Sequence, residues 1–291
     1  ELRSALEKML NKKYIFGIGI IISLLLVIFV YAVAPTGTGS IYLSSSSGYN
    51  NTLANQTLML DQLISEANDT GIVYNITDWR VNNVSDAVLN MPMCPTANST
   101  EAKDYSTNGF NGNALGAILN SSDGNCRAEF DGVDDYIQIN NFSNITSGTM
   151  CAWAKLFQKG DNYYLFDSRE GSGVGYCYFN VEGTFICNSG THYVNGINTQ
   201  SSSFNVWNFY CISNTEINPT TSLKIGSNSN GNLNFNGSTD DVAIWNRSLS
   251  ADEILAIYNN ETILHSDAVA YYGIGSNIKA NLTLNDGTQD G

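Results

Sequence analysis

The hydrophobic pattern divides the chain into one long apolar run and many short alternating segments. Residues 14–34 are almost uniformly apolar and carry no charge, and a run of about 20 such residues is long enough to span a bilayer as a helix. Beyond residue 35, short apolar stretches with period two alternate with Gly, Asn and Ser clusters, which predicts β-strands and turns. The pattern therefore predicts an all-β protein behind one N-terminal transmembrane α-helix.

One stretch near the C-terminus departs from this alternation. Residues 237–259 read GSTDDVAIWNRSLSADEILAIYN, which predicts a strand, a turn and a short helix. Apolar side chains recur at three-to-four spacing after Ser250. Glu253 follows Ser250 by three positions, and this S-x-x-E pattern is the capping box that begins a helix.

Four motifs in order resemble the laminin-G-like, concanavalin A-type jelly rolls. The closing stretch resembles the C-terminal signature of that family, and residues 129–139 (EFDGVDDYIQI) resemble its opening strand. Residues 149–154 and 207–212 match its two central strands. The resemblance implies a jelly-roll β-sandwich over residues 91–262, in which the first and last strands are neighbours.

Two segments flank the predicted jelly roll. Residues 35–90 contain the strand-like run ITDWRVNN at 76–83, which resembles the middle of an immunoglobulin-like or PKD-like surface module. Residues 263–291 contain a period-two pattern that fits the closing strands of the same module. We expect a smaller immunoglobulin-like sandwich interrupted by the jelly roll. The alternative is a small stalk followed by a loose tail.

The charges beside the apolar run predict the orientation of the chain. Basic residues precede the run within residues 1–13, and the next one is Arg80, so the positive-inside rule places the tail in the cytoplasm and the bulk of the chain outside the cell. A cleaved signal peptide is the rival interpretation, but its apolar core would span only about 7–15 residues. A pilin-like packing helix is a further alternative. We expect a single-pass protein of the cell membrane.

Composition and acceptor motifs agree with an extracellular location. The formal net charge is −14, which disfavours nucleic acid as a partner because phosphate contacts need a basic surface. Asn-x-Ser/Thr patterns for N-glycosylation are frequent, although an Asn-rich chain produces some by chance. They occur at Asn50, Asn55, Asn68, Asn75, Asn83, Asn98, Asn120, Asn141, Asn144, Asn236, Asn246, Asn260 and Asn281.

Six cysteines lie outside the apolar run, and an even count in an exported chain favours disulfides. The expected pairs are Cys94–Cys126, Cys151–Cys211 and Cys177–Cys187. The last pair follows from a three-residue hairpin loop at 181–183. The second follows from the resemblance, whose central strands carry these cysteines, and the first is what remains. This is one of several pairings that six cysteines allow, and free buried thiols are the alternative.

Aromatic residues form two groups of candidates. Those that alternate within strands are expected in the core, namely Phe130, Tyr136, Trp153, Phe166, Phe179, Trp207 and Trp245. The loop aromatics Tyr163, Tyr164 and Tyr193 are the better candidates for a ligand-binding face. Core packing is the alternative for any single ring.

Paired aspartates are the candidate metal ligands. If the first and last strands are neighbours, as the resemblance implies, Asp134 and Asp135 approach Asp240 and Asp241. Four close carboxylates repel one another unless a cation compensates. Calcium takes about six to eight oxygen ligands and is the natural candidate. The alternative is that one aspartate of each pair caps the adjacent turn while the other is solvated.

The sequence offers little for catalysis. Glycoside hydrolases of related fold use two carboxylates on neighbouring strand positions, and their Glu-x-Asp-x-Glu strand pattern is absent around Glu129, Glu170 and Glu182. The histidines, His192 and His265, accompany no nucleophile motif. We therefore expect a non-catalytic extracellular module that binds a glycan or a surface protein. The alternatives are a self-assembling subunit of a surface layer or filament and a divergent glycoside hydrolase.

Overall fold

The described part of the structure, a computed structural model, contains two large β-sheets and two small ones. It describes residues 40–45, 56–61, 74–122, 125–169, 174–219, 222–259, 263–264, 267, 271–272 and 277–285. The predicted cytoplasmic tail, residues 1–13, and the predicted transmembrane helix, residues 14–34, lie outside these residues. Within the described part, no helix has the length and apolar character needed to cross a membrane.

The strands are short and follow one another along the whole described chain. Those before the central strands are β1 Ser40–Ser45, β2 Gln56–Asp61, β3 Tyr74–Val81, β4 Val84–Ser85, β5 Leu89–Met91, β6 Glu101–Ala102, β7 Gly112–Leu115, β8 Ile118–Asn120, β9 Arg127–Asp131 and β10 Tyr136–Asn140. The others are β11 Ile145–Leu156, β12 Tyr163–Asp167, β13 Tyr176–Phe179, β14 Phe185–Cys187, β15 Thr191–Val194, β16 Ile197–Asn198, β17 Asn208–Ile217, β18 Ser222–Ile225, β19 Asn236–Trp245, β20 Ile263–Leu264 and β21 Ile278–Asn285. Helix α1 spans Ala251–Asn259.

Two sheets form the jelly roll. The seven-stranded sheet has the order β14-β13-β12-β18-β10-β7-β6, and the eight-stranded sheet has the order β16-β15-β17-β11-β19-β9-β8, with β5 paired to β19. Buried residues alternate with more exposed ones along β9 and β10, because one face of each sheet packs against the other sheet. The predicted all-β sandwich is confirmed.

Most of the predicted core aromatics lie in the interior. Phe130, Phe166, Phe179 and Trp245 are almost fully buried. Tyr136 and Trp153 are partly exposed. Trp207 is 39% exposed, so the prediction that it lies in the core is wrong. It stands in the loop just before β17 begins, and period two applies only from Asn208 onward.

The closing stretch forms β19, a turn and α1, as its pattern predicts. The backbone N–H of Ser250 donates to Glu253 Oε2 at 2.9 Å, and the N–H of Glu253 donates to Ser250 Oγ at 3.1 Å. This is the reciprocal geometry of a capping box. The apolar side of α1 covers a second cluster on the eight-stranded sheet, which contains Trp245, Leu249 and Ile254.

A buried ion-pair network holds the closing turn. Arg247 is 6% exposed and donates to Glu253 Oε1 at 2.7 Å and to Asp86 Oδ1 at 3.2 Å. Asp86 also accepts from Trp245 Nε1 at 2.9 Å and from the Tyr272 hydroxyl at 2.8 Å. Burial lowers the pKa of Arg247, but the two carboxylates more than reverse this, so the net direction is upward.

Three disulfides connect the six cysteines in the expected pairs, which are Cys94–Cys126, Cys151–Cys211 and Cys177–Cys187. The second lies between directly opposed residues of β11 and β17. The third closes the β13–β14 hairpin, where Asn180 N–H donates to the Thr184 carbonyl across the loop 181–183. The local hairpin argument and the resemblance are both confirmed for these bonds.

The two flanking segments pair with each other. β3 and β21 are antiparallel over eight residue pairs, from Tyr74 with Asn285 to Val81 with Ile278, and β2 pairs with β20. Such pairing is what an inserted jelly roll requires, since both chain ends of the insert must lie close together. β5, which precedes most of the predicted jelly roll, pairs with β19, so the sheet pairing extends to Leu89, and insertion of the jelly roll into another module stays a prediction. The immunoglobulin-like character of the flanks stays a prediction.

A histidine joins the edges of the two large sheets. His192 of β15 accepts a hydrogen bond at its Nε2 from the backbone N–H of Cys187 in β14, at 2.9 Å. β15 belongs to the eight-stranded sheet and β14 to the seven-stranded sheet. Burial lowers the pKa of His192 below its usual range, because an imidazolium is harder to desolvate than neutral imidazole.

We predict that Asp86→Ala costs about 3 to 5 kcal/mol of unfolding free energy, because it leaves the buried Arg247 short of a counter-charge. Urea unfolding followed by circular dichroism measures this. The matched control is Asp252→Ala, which removes an exposed acid in the first turn of α1, outside the network, and should cost less than about 1 kcal/mol. Equal losses of unfolding free energy in the two variants would show that the ion-pair network stabilises the fold no more than an exposed acid does.

We predict a loss of stability on acidification that depends on His192. Its lowered pKa means that below about pH 6.5 the folded state binds fewer protons than the unfolded chain. Stability is therefore fully present above about pH 6.5 and falls as the pH drops from there toward the lower folded pKa. Urea midpoints measured between about pH 7 and pH 5 should decline less in His192→Gln than in the unmodified protein. Parallel curves would contradict this assignment.

Candidate functional site

The three tyrosines predicted to form a ligand-binding face do not lie in exposed loops. Tyr163 and Tyr164 belong to β12, and Tyr193 belongs to β15. Their side chains are only 7% to 8% exposed. Every residue of β12 is buried, and Tyr193 packs in the cluster beneath α1. The prediction that these residues form an exposed loop face is wrong.

Tyr164 nevertheless belongs to a group of rings on the outer face of the seven-stranded sheet. Its ring centroid lies 5.2 Å from that of Tyr178, which lies 6.2 Å from that of Tyr176. Cys177 and Phe179 pack in the core, so alternation along β13 turns Tyr176 and Tyr178 outward, where both are partly exposed.

An arginine packs over these rings. Arg169 Cζ lies 4.0 Å from the ring centroid of Tyr176 and 4.9 Å from that of Tyr164, which is cation–π geometry. Its Nε donates to Asp167 Oδ2 at 2.9 Å. Because Asp167 is fully buried, this ion pair fixes the guanidinium above the rings.

Asp167 is itself fixed by backbone donors. The N–H groups of Arg169 and Ser229 each donate to it at 2.9 Å. Burial raises the pKa of the Asp167 carboxyl, while the backbone donors and the guanidinium lower it in part. The carboxylate therefore acts as an internal anchor that connects β12 to the loop after β18.

Polar and aromatic groups continue across the same face. Lys224 of β18 donates to the Ser229 carbonyl at 2.8 Å, and its Nζ lies 4.9 Å from the ring centroid of Tyr136 in β10. Gln138 stands opposite Lys224 in the β10–β18 register. We name this surface the tyrosine face, which comprises Tyr136, Tyr164, Asp167, Arg169, Tyr176, Tyr178 and Lys224.

Exposed apolar side chains gather at one end of the sandwich. This apolar rim comprises Val133, Phe157, Val181, Phe204, Val206, Trp207 and Leu233, which are more than half of the large apolar side chains exposed in the described residues. The loops that carry them are neighbours, since Asn205 N–H donates to the Leu156 carbonyl and Gly160 N–H to the Val181 carbonyl. Lys159 Nζ lies 5.0 Å from the Phe204 ring centroid.

Three carboxylates meet in the turn between β9 and β10. Ligand oxygens of Asp131, Asp134 and Asp135 lie within 4.8 Å of one another. Asp135 Oδ2 accepts from the Asp131 N–H at 2.8 Å, and Asp131 Oδ1 accepts from the Val133 N–H at 2.7 Å. Burial and the neighbouring charges of Asp131 and Asp134 raise the pKa of Asp135. These hydrogen bonds agree with the turn-capping alternative, and calcium stays a prediction.

Asp240 and Asp241 do not join this turn. β9 and β19 are neighbours, as predicted, but their register pairs Asp131 with Asn236. Asp240 comes four positions later on β19 and pairs with Trp153 of β11, which separates it from the turn by about 13 Å at a rise of ~3.3 Å per residue. The predicted grouping of Asp134 and Asp135 with these two aspartates is wrong.

The comparisons with known proteins concern the jelly roll. Residues 178–255 match the family model of the concanavalin A-like lectin/glucanases superfamily. This segment includes β14, β17 and β19 and most of the closing stretch. The resemblance indicated by the sequence motifs is confirmed. No curated protein matches the sequence.

Several solved structures are similar to the chain. Domain 4 of AbnA, a GH43 extracellular arabinanase from Geobacillus stearothermophilus, in complex with arabinotriose, has a TM-score of 0.42 and 10% identity, and the match covers 62% of this chain and 99% of that one. A mutant Trypanosoma rangeli sialidase displaying trans-sialidase activity has a TM-score of 0.38 and 15% identity, and the match covers 63% of this chain and 33% of the sialidase. The botulinum neurotoxin serotype D binding domain has a TM-score of 0.35 and 15% identity, and the match covers 60% of this chain and 51% of that domain.

Proposed function

We propose that this chain, whose jelly roll has the concanavalin A-like fold, is a membrane-anchored extracellular protein that binds a glycan without catalysis. The observation that carries the proposal is the tyrosine face. Partly exposed Tyr176 and Tyr178, with Arg169 fixed between rings, combine apolar surface with directed polar groups. Sugars offer C–H faces to rings and hydroxyls to polar side chains, so this mixture suits them.

The charge of the site favours a neutral glycan. Arg169 is paired with Asp167, so the pair adds no net charge to the face. The whole chain has a formal net charge of −14, which repels an anionic polysaccharide at long range. A neutral sugar meets no such repulsion and still finds amide, ammonium and guanidinium donors.

The state of Asp167 supports binding over hydrolysis. A glycosidase needs a carboxyl group that reaches the sugar, either as acid or as nucleophile. Asp167 is fully buried and accepts hydrogen bonds from three donor groups of the protein. We therefore assign it a role in holding Arg169 and not a role in chemistry.

The extracellular location is proposed on two observations. Three disulfides connect all six cysteines, and such bonds persist in oxidising compartments. The apolar run at residues 14–34, with basic residues before it, is the expected anchor. Glycan-binding sites on the jelly roll would then face the cell's surroundings.

Glycan-array binding of the purified chain, first with calcium and then with EDTA, tests the proposal. We expect saturable binding that falls about tenfold in Tyr178→Ala, the scale of one lost stacking contact. The matched control is Phe204→Ala, which also removes an aromatic ring, but on the apolar rim and not on the tyrosine face. Loss of binding on chelation would implicate the turn that contains Asp131, Asp134 and Asp135. A folded protein that binds no glycan in either condition contradicts the proposal.

A second candidate function rests on the apolar rim. Phe157, Phe204 and Trp207 are 39% to 44% exposed at neighbouring loop tips, and clustered exposed apolar groups are typical of protein interaction surfaces. This observation favours the self-assembling surface subunit, in which neighbouring copies cover the loops.

Sedimentation velocity over a range of protein concentrations tests self-association. We expect association that is weakened in the double variant Phe157→Ser/Phe204→Ser, because each serine removes apolar area from the contact. Leu255→Ser, which changes an exposed apolar residue of α1 outside the rim, is the control. A monomer at all concentrations argues against assembly through this surface.

A further inference from the structure

A cavity of about 230 Å³ lies where the flanking strands meet the jelly roll. Val81 and Val84 of the β3–β4 hairpin line one part of it, and Tyr271 lines another. Val84 is 59% exposed and Tyr271 is 63% exposed, so the cavity opens to solvent. Asn246, in the turn between β19 and α1, also lines it.

Asn246 is the first residue of the acceptor sequence Asn246-Arg247-Ser248. Its side chain is exposed, and Ser248 is exposed as well. Arg247 between them is held in the buried ion-pair network. The middle of the acceptor sequence is therefore fixed by the fold, while its two reactive positions face outward.

Two other acceptor asparagines show a contrasting arrangement. The Nδ2 of Asn236 donates to the Asp131 carbonyl at 3.0 Å, and that of Asn120 donates to Glu129 Oε1 at 3.1 Å. Nδ2 is the atom that an N-linked sugar must bond, so a sugar at either position would compete with these contacts for the space and one of the two hydrogens of Nδ2. The amide of Asn246 makes no such contact with the described residues.

We propose that Asn246 carries an N-linked glycan whose first sugar occupies this cavity. The modification joins C1 of the sugar to Nδ2 of Asn246. The amide loses one proton, and the C1–O bond of a lipid-phosphate-linked sugar donor breaks, so that the lipid phosphate leaves. The proposal rests on the extracellular location proposed above and is independent of binding at the tyrosine face.

The walls of the cavity match one face of a pyranose. The ring of Tyr271 and the methyl groups of Val81 and Val84 offer apolar surface to sugar C–H groups. The exposed Asn108 adds an amide group for the polar edge of the sugar. The volume is below the range of drug-sized pockets, about 300 to 1,000 Å³, so it suits one sugar ring and not an oligosaccharide.

A sugar in this position would connect two parts of the chain. The β3–β4 hairpin and Tyr271 belong to the flanking segments, whereas Asn246 belongs to the jelly roll. Covalent attachment gives the first sugar a high effective concentration at the cavity. The glycan therefore stabilises the junction from within the same chain.

Glycopeptide mass spectrometry of the full chain, expressed in eukaryotic cells with an N-glycosylating secretory pathway and purified in detergent, tests occupancy. We expect Asn246 to be modified and Asn236 to be unmodified. An unmodified Asn246 in protein that carries glycans at exposed acceptors such as Asn144 overturns the proposal. Protein without any glycan would instead contradict the proposed extracellular location.

Thermal unfolding tests whether the sugar occupies the cavity. After an endoglycosidase trims every glycan to one sugar, Ser248→Ala should lower the Tm by about 2 to 4 °C relative to the unmodified sequence. Ser248→Thr keeps the acceptor and should leave the Tm unchanged. Thr146→Ala, which removes the exposed acceptor at Asn144, is the matched control and should also leave it unchanged.

A double-mutant cycle separates docking from mere attachment. Tyr271→Ala should lower the Tm when Asn246 is glycosylated and have a much smaller effect in the Ser248→Ala background, because the ring then has no sugar to contact. Equal losses in the two backgrounds would mean that the glycan does not lie against Tyr271, and the proposal fails.

Discussion

The buried contact between Arg247 and Asp86 is the constraint on which the rest of the jelly roll depends. Desolvating an arginine and two carboxylates is costly, and the cost is offset only when every partner is in place. Arg247 follows the last strand, Glu253 belongs to α1, and Asp86 precedes β5. The network therefore forms only when the segment around Asp86 packs against the end of β19. This couples closure of the sandwich to the packing of α1 on the sheet.

This closure also makes the two ends of the sandwich different. The flanking strands join at the end where Asp86 contacts Trp245, and the acceptor asparagines Asn141, Asn144 and Asn246 lie in exposed positions at that end. The opposite end carries the apolar rim. Exposed acceptor positions therefore lie near the flanks, and the exposed apolar side chains of the rim lie away from them.

Local and periodic signals explain what the sequence predicts well. The capping box needs only Ser250 and Glu253, three positions apart, and the 181–183 hairpin needs only a short loop between alternating strands. Both depend on geometry that neighbouring residues determine among themselves. The partner of Arg247 is different, because Asp86 is 161 positions away in the chain and no local pattern selects it over any other aspartate.

The errors arise because sequence patterns leave strand boundaries, register and the environment of each sheet face undetermined. Tyr164 and Tyr178 are both tyrosines on outward positions of neighbouring strands, yet Tyr164 is buried by Arg169 and the other rings. The aspartate grouping failed for a related reason, since adjacent strands were expected but their register was not specified. Sheet order follows from motifs, whereas register and outer-face packing require the assembled structure.

The proposed glycan-binding role of the tyrosine face depends on the rigidity of Arg169. A guanidinium on a flexible stem loses conformational entropy when it contacts a ligand. Arg169 has already lost much of that freedom, because Asp167 binds it and the rings of Tyr164 and Tyr176 pack against it. Asp167 is in turn held by the Ser229 backbone. The contacts that hold Asp167 thus also fix Arg169, and this arrangement is the physical basis of the binding role proposed above.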